Sequence, residues 1–270
     1  VSVAFSGRPQ PITAIECPCH KKNNKLFIIP GHMDLSEYDS ALSLALNSNN
    51  AIVTLQNLPG AFYELIKKCC EKYEIDYVFI DMNPGLSAIN QTFFVYADAF
   101  IVPTNPDSFS VMALKTLKKV LPKWKKWAIQ SRELFTDSSY PLPRCDMKFI
   151  GVIIQRFNLR NHKAAQPYTG KIKEIKDYIE TDFLEELTQD DMVYDIDRLV
   201  QDGIINSRCL GEIPEFGALI QRANEAMIPV FALTKEDMGT VGNVYESMEE
   251  KRKMFDEIYD TIVKAIMRLI

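Results

Sequence analysis

The sequence predicts an α/β fold: a doubly wound, mainly parallel sheet flanked by helices. Three observations lead to this prediction. Short apolar runs recur along the chain, and each run stops at a proline or a polar residue. Residues within a run are apolar throughout rather than alternating, which is typical of parallel strands covered on both faces. Segments with the apolar spacing of helices separate the runs, so strands and helices alternate along the chain.

The predicted strands are short, and a turn-forming or polar residue follows each of them. They comprise residues 26–29, 77–80, 100–102, 149–154 and 210–213. Ligands of open α/β sheets bind beyond the carboxyl ends of the strands. Asp81, Pro103, Gln155 and Pro214 directly follow four of these runs. If the strands are parallel, Asp81 lies at the same edge of the sheet as the other three residues.

The predicted helices carry apolar residues at the three- and four-residue spacing of an amphipathic helix. They comprise residues 62–73, 109–127, 172–187 and 254–270. Pro122 should kink or end the second of them, because proline cannot donate the helical hydrogen bond. No repeat or low-complexity tract interrupts the pattern. We therefore expect residues 1–270 to form a single α/β domain.

The composition is that of an ordinary globular chain, with 270 residues of which 47% are hydrophobic and 25% are charged. No run of about 18 apolar residues is present, so the sequence predicts no transmembrane helix. The formal net charge of −5 argues against a protein that is generally coated with nucleic acid. A local basic face remains compatible with that charge.

The six cysteines lack the spacing of a disulfide framework, and reduced thiols in a cytosolic setting fit them better. Cys17, Cys19 and His20 could begin a metal clip. A structural zinc site needs a second pair of ligands at matching spacing, and the sequence shows none. Ordinary reduced thiols are therefore the preferred interpretation.

The sharpest feature is the apolar run 77–80, which leads directly into Asp81 and then into a turn at Pro84 and Gly85. An acidic residue at the end of an apolar strand is the Walker B arrangement, in which the carboxylate holds Mg²⁺ and the following loop senses a γ-phosphate. Glycine would let its backbone N–H approach that phosphate. An aspartate that only caps the next turn is the alternative.

The wider context of Asp81 resembles the ParA/MinD family of partition and positioning ATPases. The resemblance is carried by IDYVFIDMNP at 75–84, YADAFIVP at 96–103, DSFSVMAL at 107–114 and LGEIP at 210–214. These segments follow one another in the family's order, and the match extends over about residues 20–270.

The resemblance implies that ATP and Mg²⁺ are bound, and it assigns roles to residues at the strand ends. Asp81 would be the catalytic and metal-side acid, with the turn at Pro84 and Gly85 as the γ-phosphate sensor. Gln155 and Arg156 stand where the family contacts adenine, although the family has Asn-Arg there and solvated loop residues are the alternative. The other side of the base would be lined by Pro214, Glu215 and Phe216, of which Phe216 could equally be core.

The chain departs from the family at the phosphate-binding loop. No GxxxxGK[ST] motif is present, and the one Gly-Lys pair, at Gly170 and Lys171, lacks the upstream glycine. We therefore expect the chain to be N-terminally incomplete, with the loop and its central strand lying before residue 1. The sheet should then show a gap beside 77–80, and this chain alone should bind ATP poorly.

The family resemblance also implies partners and a location. These are a homodimer formed on ATP binding, a partner protein that stimulates hydrolysis, non-specific DNA, and a cytoplasmic or nucleoid-associated position. The lysines between 115 and 126 are tempting as a DNA patch, but a solvated helix face with buried tryptophans is preferred. Residues 262–270 are apolar enough to suggest a membrane-seeking helix, but packing against the core is preferred.

Two alternatives to a hydrolysing ParA-type ATPase stay open from the sequence. The first is a degenerate, non-hydrolysing ParA-like scaffold or regulatory subunit. The second is a metal-cluster carrier of the wider superfamily, which would need a cysteine pair near its dimer axis. Cys69 and Cys70 lie on an apolar helical stripe instead, and this disfavours the carrier.

Overall fold

The computed structural model of the chain describes residues 2–5, 10–47, 55–135, 138–160 and 163–270. The chain forms two compact units, each built from two segments. The first unit combines residues 1–98 with 121–147, and the second combines residues 99–120 with 148–270. The single-domain organisation expected from the sequence stays a prediction.

The regular elements are numbered in chain order. The helices are α1 (Ser2–Phe5), α2 (Glu37–Asn47), α3 (Leu58–Tyr73), α4 (Ala88–Phe94), α5 (Ser108–Leu134), α6 (Gln166–Tyr178), α7 (Leu184–Gln189), α8 (Asp197–Gln201), α9 (Leu219–Ala226), α10 (Lys235–Met238) and α11 (Gly242–Leu269). The strands are β1 (Cys19–His20), β2 (Asn23–Phe27), β3 (Ala99–Thr104), β4 (Lys148–Gln155), β5 (Leu159–Arg160), β6 (Lys163–Ala164) and β7 (Cys209–Ile213). Turns of 3₁₀ helix occupy Met33–Ser36 and Val230–Ala232, and a π-helical turn occupies Ile179–Phe183.

The second unit is built on a parallel sheet of three strands in the order β3-β4-β7. Helices flank this sheet, which confirms the predicted α/β class and the strands predicted at 100–102, 149–154 and 210–213. Thr104 pairs with Ile154, and Gln155 pairs with Ile213. The three strands therefore end at the same edge, and the residues that follow them are neighbours.

The middle of this sheet depends on a glycine. A Cβ atom at Gly151 would lie 2.3 Å from the carbonyl oxygen of Arg208, so only glycine fits this close approach of two backbones. The buried guanidinium of Arg208 in turn donates to the carbonyl oxygens of Phe149, Ile150 and Tyr194. These bonds satisfy a charged group that would otherwise be costly to bury.

Helix α11 covers the sheet of the second unit. Its residues Phe255, Ile262, Ala265 and Ile266 belong to the buried core cluster. The helix predicted at 254–270 is confirmed, and it begins earlier, at Gly242. The burial of Ile262 and Ile266 also supports the packing interpretation of the chain's last helix over the membrane-seeking one.

The other predicted helices are present, with different ends. Residues 172–187 fall within α6, the π-helical turn and α7, which run on without a break. Residues 62–73 belong to α3. Helix α5 continues through Pro122 to Leu134, so Pro122 does not end the helix, and the kink expected there stays a prediction.

In the first unit, helices α2, α3 and α4 pack together with the second half of α5. Leu42, Ala61, Phe94 and Trp124 are buried there, and the indole N–H of Trp127 donates to the Leu46 carbonyl at 2.8 Å. The tryptophans of the lysine-rich stretch thus serve packing. This supports the solvated-helix interpretation of that stretch.

The structure shows that two of the strand predictions, those at 26–29 and 77–80, are wrong. Strand β2 ends at Phe27 and pairs antiparallel with β1, so residues 26–29 do not form a parallel strand. Residues 77–80 form no strand, and the Phe79 side chain is 78% exposed. A strand exists only where a neighbour pairs with it, and no strand in the described part of the chain pairs with 77–80.

Among the described helices, none is both long and apolar enough to cross a membrane.

Candidate functional site

The segment that carries Asp81 is extended and open to solvent. Tyr77 is 42% exposed and Val78 is 50% exposed, although their residue types are those of a covered strand. The Asp81 carboxylate is exposed as well, and it makes no hydrogen bond or ion pair with the described residues. It is therefore free to hold a cation rather than committed to capping a turn.

The turn after Asp81 is held by a buried amide. Asn90 is only 2% exposed, and its Nδ2 donates to the carbonyl oxygens of Asn83 at 2.7 Å and Gly85 at 2.9 Å. Gly85 has a φ of +139°, a backbone conformation that residues with a side chain rarely adopt, so glycine is favoured there. Sequence reasoning missed this role of Asn90, because α4 has three consecutive polar residues, Asn90, Gln91 and Thr92, and its sequence does not distinguish Asn90 from the other two.

Two further side chains fix the helix that follows the turn. The Ser87 hydroxyl accepts from the Asn90 backbone N–H at 3.2 Å and caps α4. The Asp39 carboxylate, from α2, accepts from the Ile89 N–H at 3.0 Å. Together with Asn90 they attach the turn and the start of α4 to the packed helices of the first unit.

In the second unit, the end of β3 forms a hydrogen-bonded polar turn. The Thr104 hydroxyl donates to the Ile153 carbonyl at 3.3 Å. The Asn105 N–H donates to the Ser110 hydroxyl at 2.9 Å, and the Ser110 N–H donates to the Asp107 carboxylate at 2.7 Å. The Asn105 side-chain oxygen is buried and has no hydrogen-bond partner in the described part of the chain.

The ends of β4 and β7 are joined by main-chain bonds. The Arg156 N–H donates to the Ile213 carbonyl at 3.0 Å, and the Glu215 N–H donates to the Phe157 carbonyl at 2.9 Å. Arg156 adopts a left-handed φ of +62°, an uncommon conformation for a residue other than glycine. Its side chain is exposed, and that of Gln155 is half-buried.

The structure therefore brings together the sequence-predicted residues at this edge: Gln155, Arg156, Pro214, Glu215 and Phe216. We call this group the strand-end rim. Pro214 is buried and Glu215 is exposed. The Phe216 ring packs on Phe255 with a centroid distance of 4.7 Å, so at least part of this side chain serves the core.

Asp81 and the strand-end rim belong to different units, so the expectation that Asp81 faces Pro103, Gln155 and Pro214 stays a prediction. Pro103 itself is exposed on β3. Within the described residues, no group of three or more His, Cys, Asp and Glu could hold a metal ion. A Mg²⁺ ion at Asp81 would need phosphate oxygens and water for its remaining ligands, which is how Mg²⁺ is usually held beside nucleotides.

Comparisons with known proteins give one family match and one similar solved structure. A family model described as an AAA domain matches residues 10–132, a range that includes Asp81, the turn at Pro84 and Gly85, and β3. The crystal structure of protein DIP2308 from Corynebacterium diphtheriae is similar in fold, with a TM-score of 0.52 and 18% sequence identity over 81% of this chain and 70% of that one. No curated protein matches the chain. The domain match supports a P-loop NTPase type of nucleotide-binding protein, and the solved structure shows a similar fold.

Proposed function

We propose that this chain provides the metal-side and base-side parts of a ParA-type ATPase, which binds ATP with Mg²⁺ and hydrolyses it. The observation that carries the proposal is the Asp81 carboxylate, which makes no hydrogen bond or ion pair with the described residues. It lies beside a turn held by Asn90, and Ser87 and Asp39 fix the start of the helix that follows. That arrangement lies inside the range matched by the AAA domain. The strand-end rim in the second unit supports the proposal from the base side.

On the metal side, Asp81 would hold Mg²⁺ and the turn at Pro84 and Gly85 would approach the γ-phosphate. When bound, Mg²⁺ neutralises charge that develops on the phosphate oxygens during transfer. The chain's own residues contribute by positioning the backbone of the turn after Asp81. Asn90 holds the carbonyl groups of Asn83 and Gly85, which restrains the backbone on both sides of the Pro84–Gly85 peptide that carries the Gly85 N–H.

On the base side, Gln155 and Arg156 would contact adenine. An amide such as Gln155 has both a donor and an acceptor for the edge of the base, and the exposed guanidinium of Arg156 can stack on its face. Glu215 and Pro214 would close the other side, and the Phe216 ring would contribute only the part that does not pack on Phe255.

The triphosphate needs a glycine-rich loop with a lysine, and the 270 residues contain no such motif. We propose that residues outside these 270 supply the loop together with its strand. The open segment 77–80 supports this, because its apolar side chains are exposed although parallel strands of this composition are normally covered. Strand β3 also pairs on one side only in the described part of the chain.

In the intact protein, ATP binding would drive homodimerisation, and a partner protein would stimulate hydrolysis. The output would be plasmid or chromosome partition, or the positioning of another cargo, in the cytoplasm or on the nucleoid through non-specific DNA. The missing phosphate loop favours one alternative, a ParA-like scaffold that does not hydrolyse ATP. The titration below distinguishes the two.

The test is calorimetric titration with ATP and Mg²⁺ of two proteins: the 270 residues alone, and the same residues preceded by the gene segment that encodes the loop. We expect weak or undetectable binding by the first. Base contacts alone are worth only about 1–3 kcal/mol, far from the roughly 8 kcal/mol of micromolar binding. The second should bind ATP–Mg²⁺ and hydrolyse it.

Asp81→Asn in the longer protein should abolish hydrolysis while leaving the thermal midpoint unchanged, since the Asp81 carboxylate makes no hydrogen bond or ion pair with the described residues. Asp76→Asn, five residues earlier and also exposed, is the matched control and should hydrolyse normally. Micromolar binding by the 270 residues alone would refute the proposed origin of the phosphate loop. A longer protein that binds ATP without hydrolysing it would favour the scaffold.

A further inference from the structure

A cleft opens in the second unit at the amino end of β7, the end of the strand away from the strand-end rim. It consists of two adjoining cavities of about 540 Å³ and 380 Å³, which share Val200 and Asn206 in their walls. Small-molecule sites in proteins have volumes of about 300–1,000 Å³. Cys209, the first residue of β7, lines the smaller cavity. At about 3.3 Å per strand residue it lies roughly 16 Å from Pro214 of the rim, so the cleft is a separate site.

The side chains that line the cleft carry negative charge. The Glu180 and Asp197 carboxylates line the larger cavity. Among the described residues, Arg208 is the one cationic residue in either wall, and its guanidinium is buried and donates to three backbone carbonyl oxygens. The guanidinium therefore does not face the two carboxylates. A cleft lined by one sign of charge attracts ions of the opposite sign, so this cleft favours a cation.

The polar groups of the larger cavity can accept hydrogen bonds, and several of them have no partner among the described residues. One Glu180 oxygen accepts from the Arg208 N–H at 2.8 Å, which leaves the second oxygen open. The Asp197 carboxylate and the side-chain amides of Gln201 and Asn206 make no hydrogen bond or ion pair with the described residues. These four acceptor side chains are exposed, so they suit a ligand that is rich in N–H groups.

Apolar side chains form the rest of the larger cavity. Leu184, Ile196 and Val200 line it together with the two carboxylates, and Val200 is 43% exposed. An alkyl stem can lie along such a surface while its charged end stays at polar groups, as the side chains of lysine and arginine do. Glu180 also belongs to the π-helical turn Ile179–Phe183, and π-helical turns are frequent at functional sites.

We propose that this cleft binds an organic cation, an ammonium or guanidinium group carried on an alkyl stem. The charged end donates to the Glu180 and Asp197 carboxylates, where charge-assisted hydrogen bonds form, and the stem lies against Val200. A bare metal ion fits less well, because no group of three or more His, Cys, Asp and Glu among the described residues could hold one. Two sources carry the proposed chemistry: a free polyamine, and a lysine or arginine side chain of a partner protein.

The experiment titrates the purified 270-residue chain by calorimetry with two probes, spermidine and an arginine blocked at both its amino and its carboxyl group. We expect binding that weakens as the salt concentration rises, because salt screens ion pairs that are partly exposed. Tighter binding of spermidine would assign the cleft to a free polyamine. Tighter binding of the blocked arginine would assign it to a side chain of a partner protein.

Glu180→Gln and Asp197→Asn should each weaken binding about fivefold, because each removes one charge and keeps the size of the side chain. Glutamine also keeps an oxygen that can accept from the Arg208 N–H. Glu246→Gln is the matched control, since it removes an exposed carboxylate of α11 that lines neither cavity, and it should leave the affinity unchanged.

Three results would each refute the proposal. The first is the absence of detectable binding of both probes at millimolar concentration. The second is undiminished binding by Glu180→Gln and Asp197→Asn. The third is equal weakening by Glu246→Gln, which would show that only the net charge of the chain attracts the cation.

Discussion

The contact of Asn90 with the turn after Asp81 predicts a specific loss of stability. Asn90→Ala removes two hydrogen bonds, to the carbonyl oxygens of Asn83 and Gly85 at 2.7 and 2.9 Å. Asn83 and Gly85 are exposed, so water can replace the lost donor at each carbonyl. The substitution therefore costs the net value of the bonds rather than the larger penalty for unpaired buried groups.

A net hydrogen bond is worth about 1 kcal/mol, so two of them give a loss of roughly 2 kcal/mol in the free energy of unfolding. Urea denaturation followed by tryptophan fluorescence measures this loss, because Trp124 and Trp127 lie in the same unit as Asn90. Amide hydrogen exchange at Ile89, whose N–H donates to Asp39, should also become faster as the start of α4 loosens.

Gln91→Ala is the matched control for this prediction. Gln91 is the next residue on α4, is half-buried, and has no side-chain hydrogen bond in the described structure, so its substitution should cost less than about 0.5 kcal/mol. A loss at Asn90 as small as that at Gln91, with unchanged exchange at Ile89, would show that the amide does not hold the turn.

Two further predictions concern the second unit. Gly151→Ala should destabilise the chain by about 1–3 kcal/mol in urea denaturation, because its Cβ would meet the Arg208 carbonyl. Gly170→Ala is the control, because open space surrounds Gly170, and it should be neutral or slightly stabilising. Equal losses of stability in the two variants would contradict the close approach of the backbones at Gly151. Hydrogen bonding to Arg252 lowers the pKa of Glu249 in the folded chain. The ion pair therefore stabilises the fold by about 0.5 kcal/mol above the unfolded pKa, and this stabilisation is lost as pH falls through the lowered pKa of the folded chain. Glu249→Gln should therefore lower the urea midpoint at pH 7 and leave it unchanged at acidic pH. A lowered midpoint that persists in acid would refute the link between the Glu249 pKa and stability.

Local sequence patterns were sufficient for the helices and for one edge of the sheet. An amphipathic stripe specifies a helix almost by itself, because its hydrogen bonds are made within the segment, and α3, α5 and α11 appear where the stripes predict them. The apolar runs at 149–154 and 210–213 became neighbouring parallel strands. Their following residues, Gln155 and Pro214, came together as expected.

Tertiary structure decided what depends on a distant partner. Residues 77–80 have the composition of a covered strand, yet they remain open because strand formation needs pairing that the segment's own residues cannot provide. The role of Asn90 and the bond of Asp39 to the start of α4 were likewise invisible in the sequence. Each depends on a register between segments, fixed only when helices α2, α3 and α4 pack. The sequence determined which segments are apolar and where strands would end, and the packed chain determined which of them found a neighbour.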